Sequence, residues 1–332
     1  MNDPLIVRII GSIIAQSTPL MLAITGETIT ERSGVINLSL DGSMMLSAMV
    51  GFFVAYESSS LLGVPGDTLP VLLGFAAAAI VGAAAALLVA WGSIDLKQNQ
   101  VAIGFVLTLL LADLANFLGQ NHTRIPGPSV HSWGIPILKD LPILGPIFFD
   151  HDPLVYFAFL VVAATTWWLY STQPGLRMRG VGERPEAAFV RGVGVNRVRY
   201  VYSAIGGALV GLGGAAFSLD MKLGWSDNHI LGMGWIALAI VIFGGWRPIG
   251  GALGAILYGA TKYIATVLQQ SYSDVPVVLF NSLQWLLMLG VLLLVSSKGL
   301  LRLIEIAPKR LQRPLARALR VSPPEALGMT EK

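Results

Sequence analysis

The groups with most chemical potential in this sequence are carboxylates and amides set inside apolar runs. From Glu31 the chain reads Glu31-Arg32-Ser33-Gly34-Val35-Ile36-Asn37-Leu38-Ser39-Leu40-Asp41-Gly42-Ser43-Met44-Met45, so Asn37, Ser39 and Asp41 enter an otherwise apolar stretch. A charge in the middle of a hydrocarbon layer costs about 2.5–3.5 kcal/mol on insertion scales, so Asp41 must face protein or a hydrated path. A helix over 35 to 56 puts Asn37 and Asp41 on one face, either as a pair that joins helices or as a lining for a polar solute. Asp113 repeats the pattern within Leu109 to Leu118, with Asn116 and Gln120 on its side by helical spacing. These residue types suit binding. Catalysis finds no support: His122, His131, His151 and His229 match no standard zinc spacing. No G-x-x-x-x-G-K-S/T phosphate loop occurs, and the G-x-G-x-x-A of Gly211, Gly213 and Ala216 falls inside an apolar helix, not at a strand-to-helix turn. The absence of cysteine excludes disulfides, thiol catalysis and cysteine metal sites.

The elements that must position these groups are membrane helices. Of 332 residues, 54% are hydrophobic and 12% charged, against roughly a quarter charged in a soluble domain. Apolar runs near the spanning length of about 20 residues recur along the whole chain. The pattern predicts helices over 5 to 25, 35 to 56, 70 to 92, 101 to 119, 153 to 170, 200 to 219, 231 to 245, 249 to 268 and 278 to 297. The fold class is therefore all-α, a polytopic transmembrane bundle of about nine helices, in which the short 231 to 245 run suits a broken or re-entrant helix. The first run is read as a retained helix, because Ala15, Gln16 and Ser17 make a poor cleavage site. Gly207 with Gly211 and Gly250 with Gly254 match small-xxx-small spacing and predict close helix packing. Ser39-Leu40-Asp41 and Ser218-Leu219-Asp220 are alike, which hints at an internal inverted repeat.

Positive charge sets the orientation. Arg177, Arg179, Arg184, Arg191, Arg197 and Arg199 gather in the 171–199 loop, and Lys298, Arg302, Lys309, Arg310, Arg313, Arg317 and Arg320 in the tail, so both are expected in the cytoplasm. The stretch from 120 to 152 and the loops at 57 to 69, 220 to 230 and 269 to 277 then lie outside, as does the amino terminus. This divides the chain into a transmembrane domain over 1–300 and a basic cytoplasmic tail over 301–332. Topology accounts for the basic residues without nucleic acid. Within the loop, Pro185 suits a first helical position, Ala187 and Ala188 favour helix, and Gly192 can end it. A helix of about two turns is marginal alone in water, so it should gain its order by packing on a partner or on the membrane helices, and its capped ends favour a docking element.

Three stretches carry a family resemblance: Thr18-Pro19-Leu20 through Gly26-Glu27 to Leu38; Gly182 to Gly192; and Gly234-Trp235 through Phe243-Gly244-Gly245-Trp246-Arg247-Pro248. With them the chain resembles permease subunits of bacterial ABC importers of the branched-chain amino acid and simple sugar class. It is most similar to permeases that work with basic-membrane-protein-type lipoproteins, many of them nucleoside importers. Family members usually carry Gly, Leu, Glu, Gly and Met where this chain has Ser39, Leu40, Asp41, Gly42 and Ser43.

The resemblance implies a multi-pass protein of the bacterial inner membrane that is not itself an enzyme. Asn37, Ser39, Asp41, Asp113, Asn116 and Trp235 would line the path of a nucleoside or purine, with simple sugars or branched-chain amino acids as the alternative. Arg184, Pro185, Glu186, Ala187, Ala188, Phe189 and Arg191 would form the coupling helix that docks on a cytoplasmic ATPase. That ATPase would hold the ATP and Mg, and this chain would hold no cofactor and no metal. A second permease, expected to differ in sequence, and an external solute-binding lipoprotein complete the set. Two other classes are distinguishable: an ion-coupled secondary transporter would use Asp41 and Asp113 as ion sites and work without an ATPase, and a membrane enzyme would need clustered His, Asp or Lys at helix ends.

Overall fold

The computed structural model describes residues 5–62, 67–131, 133–136, 138–139, 144–272, 274–296 and 323–329. The basic cluster from Lys298 to Arg320 lies outside the described residues. Eleven α-helices account for the described architecture: α1 (Leu5–Arg32), α2 (Leu40–Leu62), α3 (Thr68–Ile94), α4 (Gln100–Gly119), α5 (Pro153–Ser171), α6 (Gln173–Glu183), α7 (Pro185–Val190), α8 (Val195–Ala216), α9 (Met233–Phe243), α10 (Pro248–Ser271) and α11 (Val277–Ser296). Eight of these, α1 to α5, α8, α10 and α11, are long and apolar enough to cross a membrane.

The centre is built by α1, α2 and α8, which supply most of the fully buried side chains of the main apolar cluster, among them Leu20 to Ile24, Met44, Met45, Ala215 and Ala216. Hydroxyls survive inside α1 because the helix itself satisfies them: the Thr25 and Thr28 hydroxyls each donate to the carbonyl four residues back, at 2.7 Å. Helix α1 continues through Pro19 and Gly26 and runs to Arg32, a full seven residues past the expected end at 25; Gly34, at φ +96°, follows its end. Small residues let helices touch through their backbones, as the glycine spacing predicts. A Cβ built on Gly82 would stand 2.2 Å from the Gly207 carbonyl oxygen, and one on Gly211 would stand 2.1 Å from that of Ala78, so α3 and α8 pack antiparallel with no room for a methyl.

Two expectations need correction. Helix α2 starts at Leu40, not at 35, so Asn37 sits in a turn before the helix and shares no helical face with Asp41. Gly34, at φ +96°, breaks α1, and the turn is pinned from α4: the Gln100 side-chain oxygen accepts from the Ile36 N–H at 2.8 Å, and the Thr108 hydroxyl donates to the Leu38 carbonyl at 2.6 Å. Nor do the two Ser-Leu-Asp tripeptides occupy equivalent places, since the first opens α2 whereas the second closes α8 in a π-turn over Phe217–Met221. The sequence pattern also passed over α6, whose start is marked by Thr172, accepting from the Gly175 N–H at 3.2 Å, and by Pro174.

Gly82→Ala should lower the midpoint of thermal unfolding in detergent, by the equivalent of about 1–3 kcal/mol, because either backbone must move to admit the methyl. Gly180→Ala is the control, since nothing lies within 4 Å of its added Cβ, and it should leave the midpoint unchanged or raise it. Equal midpoints for both variants would show that the α3–α8 contact is not a constraint.

Candidate functional site

Helix α9 has eleven residues and reaches about 16 Å, half of the roughly 30 Å hydrocarbon layer. Its two ends fix where that half lies. At its carboxyl end the turn Gly245-Trp246 meets Glu31 and Arg32 at the end of α1, beside Glu183 of α6 in the arginine-rich region. At its amino end, Met233 accepts from the Tyr258 hydroxyl in the middle of α10. The stretch before it, from Lys222 to Gly232, descends from the opposite end of the bundle, where Gly224 and Trp225 bridge to Pro126 and Thr123. The chain therefore makes its seventh passage as an irregular segment followed by a half-helix.

Irregular backbone at membrane depth is tolerable only when protein satisfies its polar groups. The Trp225 carbonyl accepts from the Arg124 N–H at 2.8 Å, and the Leu219 carbonyl from the Val130 N–H at 3.0 Å. Asn116 holds Asn228 by side chain and backbone, its amide donating to the Asn228 side-chain oxygen at 2.9 Å and its oxygen accepting from the Asn228 N–H at 3.2 Å.

Asp41 completes the arrangement. Its two carboxylate oxygens accept from the Gly232 N–H at 3.1 Å and the Gly234 N–H at 2.8 Å, so it caps α9 from the first turn of α2. An anion there meets the positive ends of two helix dipoles at once. The approach requires glycine: Gly232 has φ +90°, and a Cβ on Gly234 would stand 2.3 Å from the Asp41 backbone. Asn37 and Ser39 support the same place. The Asn37 side-chain oxygen accepts from the Ser39 hydroxyl at 2.6 Å, and the Ser39 hydroxyl lies 3.1 Å from that of Ser43.

The other end of α9 is held by Glu31, Arg32 and Trp246, for which no role follows from the sequence pattern alone. The Trp246 indole donates to the buried Glu31 carboxylate, and the Arg32 guanidinium donates to the carbonyls of Trp246 at 2.8 Å and Gly245 at 3.3 Å. Trp246 has φ +51°, unusual for a bulky residue, and the indole bond holds it there. Glu27, fully buried one turn earlier, accepts from the Asn37 N–H at 3.3 Å. The signal was present: two carboxylates four residues apart in an apolar helix demand partners.

The candidate path residues thus fall into two groups. Asn37, Ser39 and Asp41 are buried and engaged with each other or with α9. Asp113 is exposed on the side of α4, Asn116 is half-buried against Asn228, and Trp235 is half-buried with its ring 6.3 Å from that of Phe105 on α4. The proposed coupling residues form α7 with Pro185 in its first turn. It is closed by Gly192 at φ +79°, whose N–H donates to the Phe189 carbonyl at 2.8 Å. Arg184, Glu186, Ala187, Phe189 and Arg191 are exposed there, while Ala188 is buried against Val181 and Val195.

The pattern of the branched-chain amino acid transport system / permease component family matches residues 9–296, and the chain belongs to that family. It is 33% identical over 264 residues to the nucleoside ABC transporter permease protein NupC of Lactococcus lactis, covering 78% of this chain and 82% of that one. The guanosine ABC transporter permease protein NupQ of Bacillus subtilis is 32% identical over 277 residues, 81% of this chain and 85% of its own. A putative glucose ABC transporter permease protein of Haloferax volcanii is 36% identical over 255 residues, 76% and 74% of the two chains. No solved structure matches. The protein is a multi-pass ABC-transporter permease of the membrane.

Asp41→Asn should cost about 1–3 kcal/mol, because the amide can accept from only one of the two glycine N–H groups and turns a donor toward the other. Thermal unfolding of the purified subunit would record it, and an unchanged midpoint would remove Asp41 from the cap of α9.

Proposed function

We propose that this chain is one permease of an ATP-driven importer in a bacterial inner membrane, and that it moves nucleosides or purines. The observation that carries the reading is the uncovered side of α4. Only 28% of its apolar window is buried in the subunit, against 61% for α8, yet that side carries Asp113 about two-thirds of the way along the helix. Lipid is the wrong neighbour for a carboxylate at that depth. A second permease of different sequence would cover this side and leave a hydrated path between the two. Phe105 and Trp235 would offer aromatic faces to a base, and Asp113 an acceptor for sugar hydroxyls. Asn37, Ser39 and Asp41 would act one layer behind, by holding α9 and so Trp235 in place. The nucleoside and guanosine permeases among the relatives support the solute class, and the glucose permease marks the alternative.

In the same reading the arginine-rich end is cytoplasmic. The exposed α7, with Phe189 and Val190 at 71% and 86% exposure, docks on an ABC ATPase that binds the ATP and Mg, and an external lipoprotein delivers the solute. Closure of the ATPases would push α7 and rock the bundles between two states, as alternating access requires. ATP-dependence separates this from an ion-coupled transporter.

Reconstituted with its ATPase, second permease and lipoprotein, the protein should take up guanosine or another nucleoside only with ATP, and Asp113→Asn should reduce that uptake while assembly persists. Uptake of glucose in preference to nucleosides, or uptake without ATP, would overturn the assignment. Orientation has its own measurement. A cysteine at Ser129 should react with an impermeant maleimide from outside intact cells, and reaction only from the cytoplasmic face would invert the topology.

A further inference from the structure

The tail returns to the bundle. Pro323-Pro324-Glu325-Ala326-Leu327-Gly328-Met329 lies across the place where the end of α6 meets the α1–α2 junction. The Ala326 N–H donates at 3.0 Å to the Gly182 carbonyl, one of the last-turn carbonyls of α6 that no helical N–H can reach. The Gly328 N–H donates to the Gly34 carbonyl at 3.3 Å, and the Glu325 N–H to the Glu183 carboxylate at 3.3 Å. The Glu325 side chain in turn pairs with Arg184 at 3.5 Å. Ala326 is 2% exposed, and Leu327 packs against the main apolar cluster. Four consecutive residues are thus keyed to two different parts of the chain, and the prolines ahead of them stiffen the entry.

What they close over is a seam. A Cβ on Gly182 would stand 2.1 Å from the Arg32 carbonyl oxygen, and the Arg32 guanidinium lies 3.4 Å from the Glu183 carboxylate, so α6 and the end of α1 already touch. Arg32 also holds the carboxyl end of α9. The tail segment does not bridge two separate bodies; it clamps a contact that exists without it. We propose that Pro323–Met329 is a built-in strap that keeps the α6–α7 element fastened to the α1–α2 junction, so that a push on α7 reaches α9 instead of opening the seam. This inference rests on the reading of Pro185 to Arg191 as the ATPase-docking element.

Docking and transmission have separate readouts, both on the full transporter. Ala326→Cys should be protected from maleimide while Met329→Cys, at 58% exposure, labels readily; equal labelling would remove the strap. In proteoliposomes, a chain ending at Ser322 and the full-length Ala326→Trp should each keep the ATPase bound and hydrolysing. Solute moved per ATP should fall about fivefold or more, the low end of an ordinary coupling free energy. An unchanged or raised ratio with Ala326 protected would overturn transmission. If the unaltered transporter itself takes up solute without an ATPase, the docking reading of α7 fails and the transmission role with it, whereas the labelling result still decides whether the segment is docked.

Discussion

The structure depends on one electrostatic arrangement: a helix that begins in the middle of the hydrocarbon layer with its amino end held by a buried carboxylate. A helix start leaves N–H groups without intrahelical acceptors, and at membrane depth water is not there to take them. Asp41 supplies two acceptors and a negative charge to the start of α9. It does so from the start of α2, so the same charge also lies at the positive end of a second helix. The carboxylate and the half-helix each remove the other's principal cost.

The constraint extends from there to the other end of α9. Arg32 donates to the carbonyls of Gly245 and Trp246 just past its last turn, where a cation complements the negative end of the dipole. Glu31 takes the Trp246 indole and fixes the left-handed turn that sends the chain into α10. One continuous stretch, Glu27 to Asp41, therefore brackets both ends of α9. The turn inside that stretch is pinned by Gln100 and Thr108 of α4, so α1, α2, α4 and α9 share one polar junction inside an apolar bundle.

Most of the helices were legible in the sequence because long apolar runs admit one structure in lipid. The half-helix was legible too, as a run too short to span. The α1–α2 junction was misread because Val35, Ile36 and Leu38 continue the apolar pattern, while what stops the helix is Gly34 together with an acceptor, Gln100, and a donor, Thr108, on α4, 64 residues from Ile36 in the case of Gln100. The partner of Asp41 was beyond reach for the same reason: Gly232 and Gly234 lie 191 and 193 residues downstream, and no local pattern encodes that distance. Intramembrane charge said only that Asp41 needed a partner. For Glu31 the pair with Glu27 gave an equivalent warning, and the answer, Trp246, is 215 residues on.

The bracket also decides how motion can pass through the subunit. Its outer surface is where Gly182 and Glu183 of α6 meet Arg32, so the element carrying α7 is joined to the same residues that hold α9. A displacement of α7 relative to the bundle must either break those contacts or carry the junction with it. Breaking them would strip Arg32 of a carboxylate and expose Gly182 backbone. Carrying them along moves the end of α1 and the carboxyl end of α9 together, while α9's amino end remains tied through Asp41 to α2. Such a displacement would tilt α9 about its mid-membrane start. Trp235 sits two residues past Met233, close to that pivot, and Phe243 at the far end sweeps the larger arc. The wide movement would then fall in the half of the layer nearest α7, and the aromatic pair beside α4 would move least.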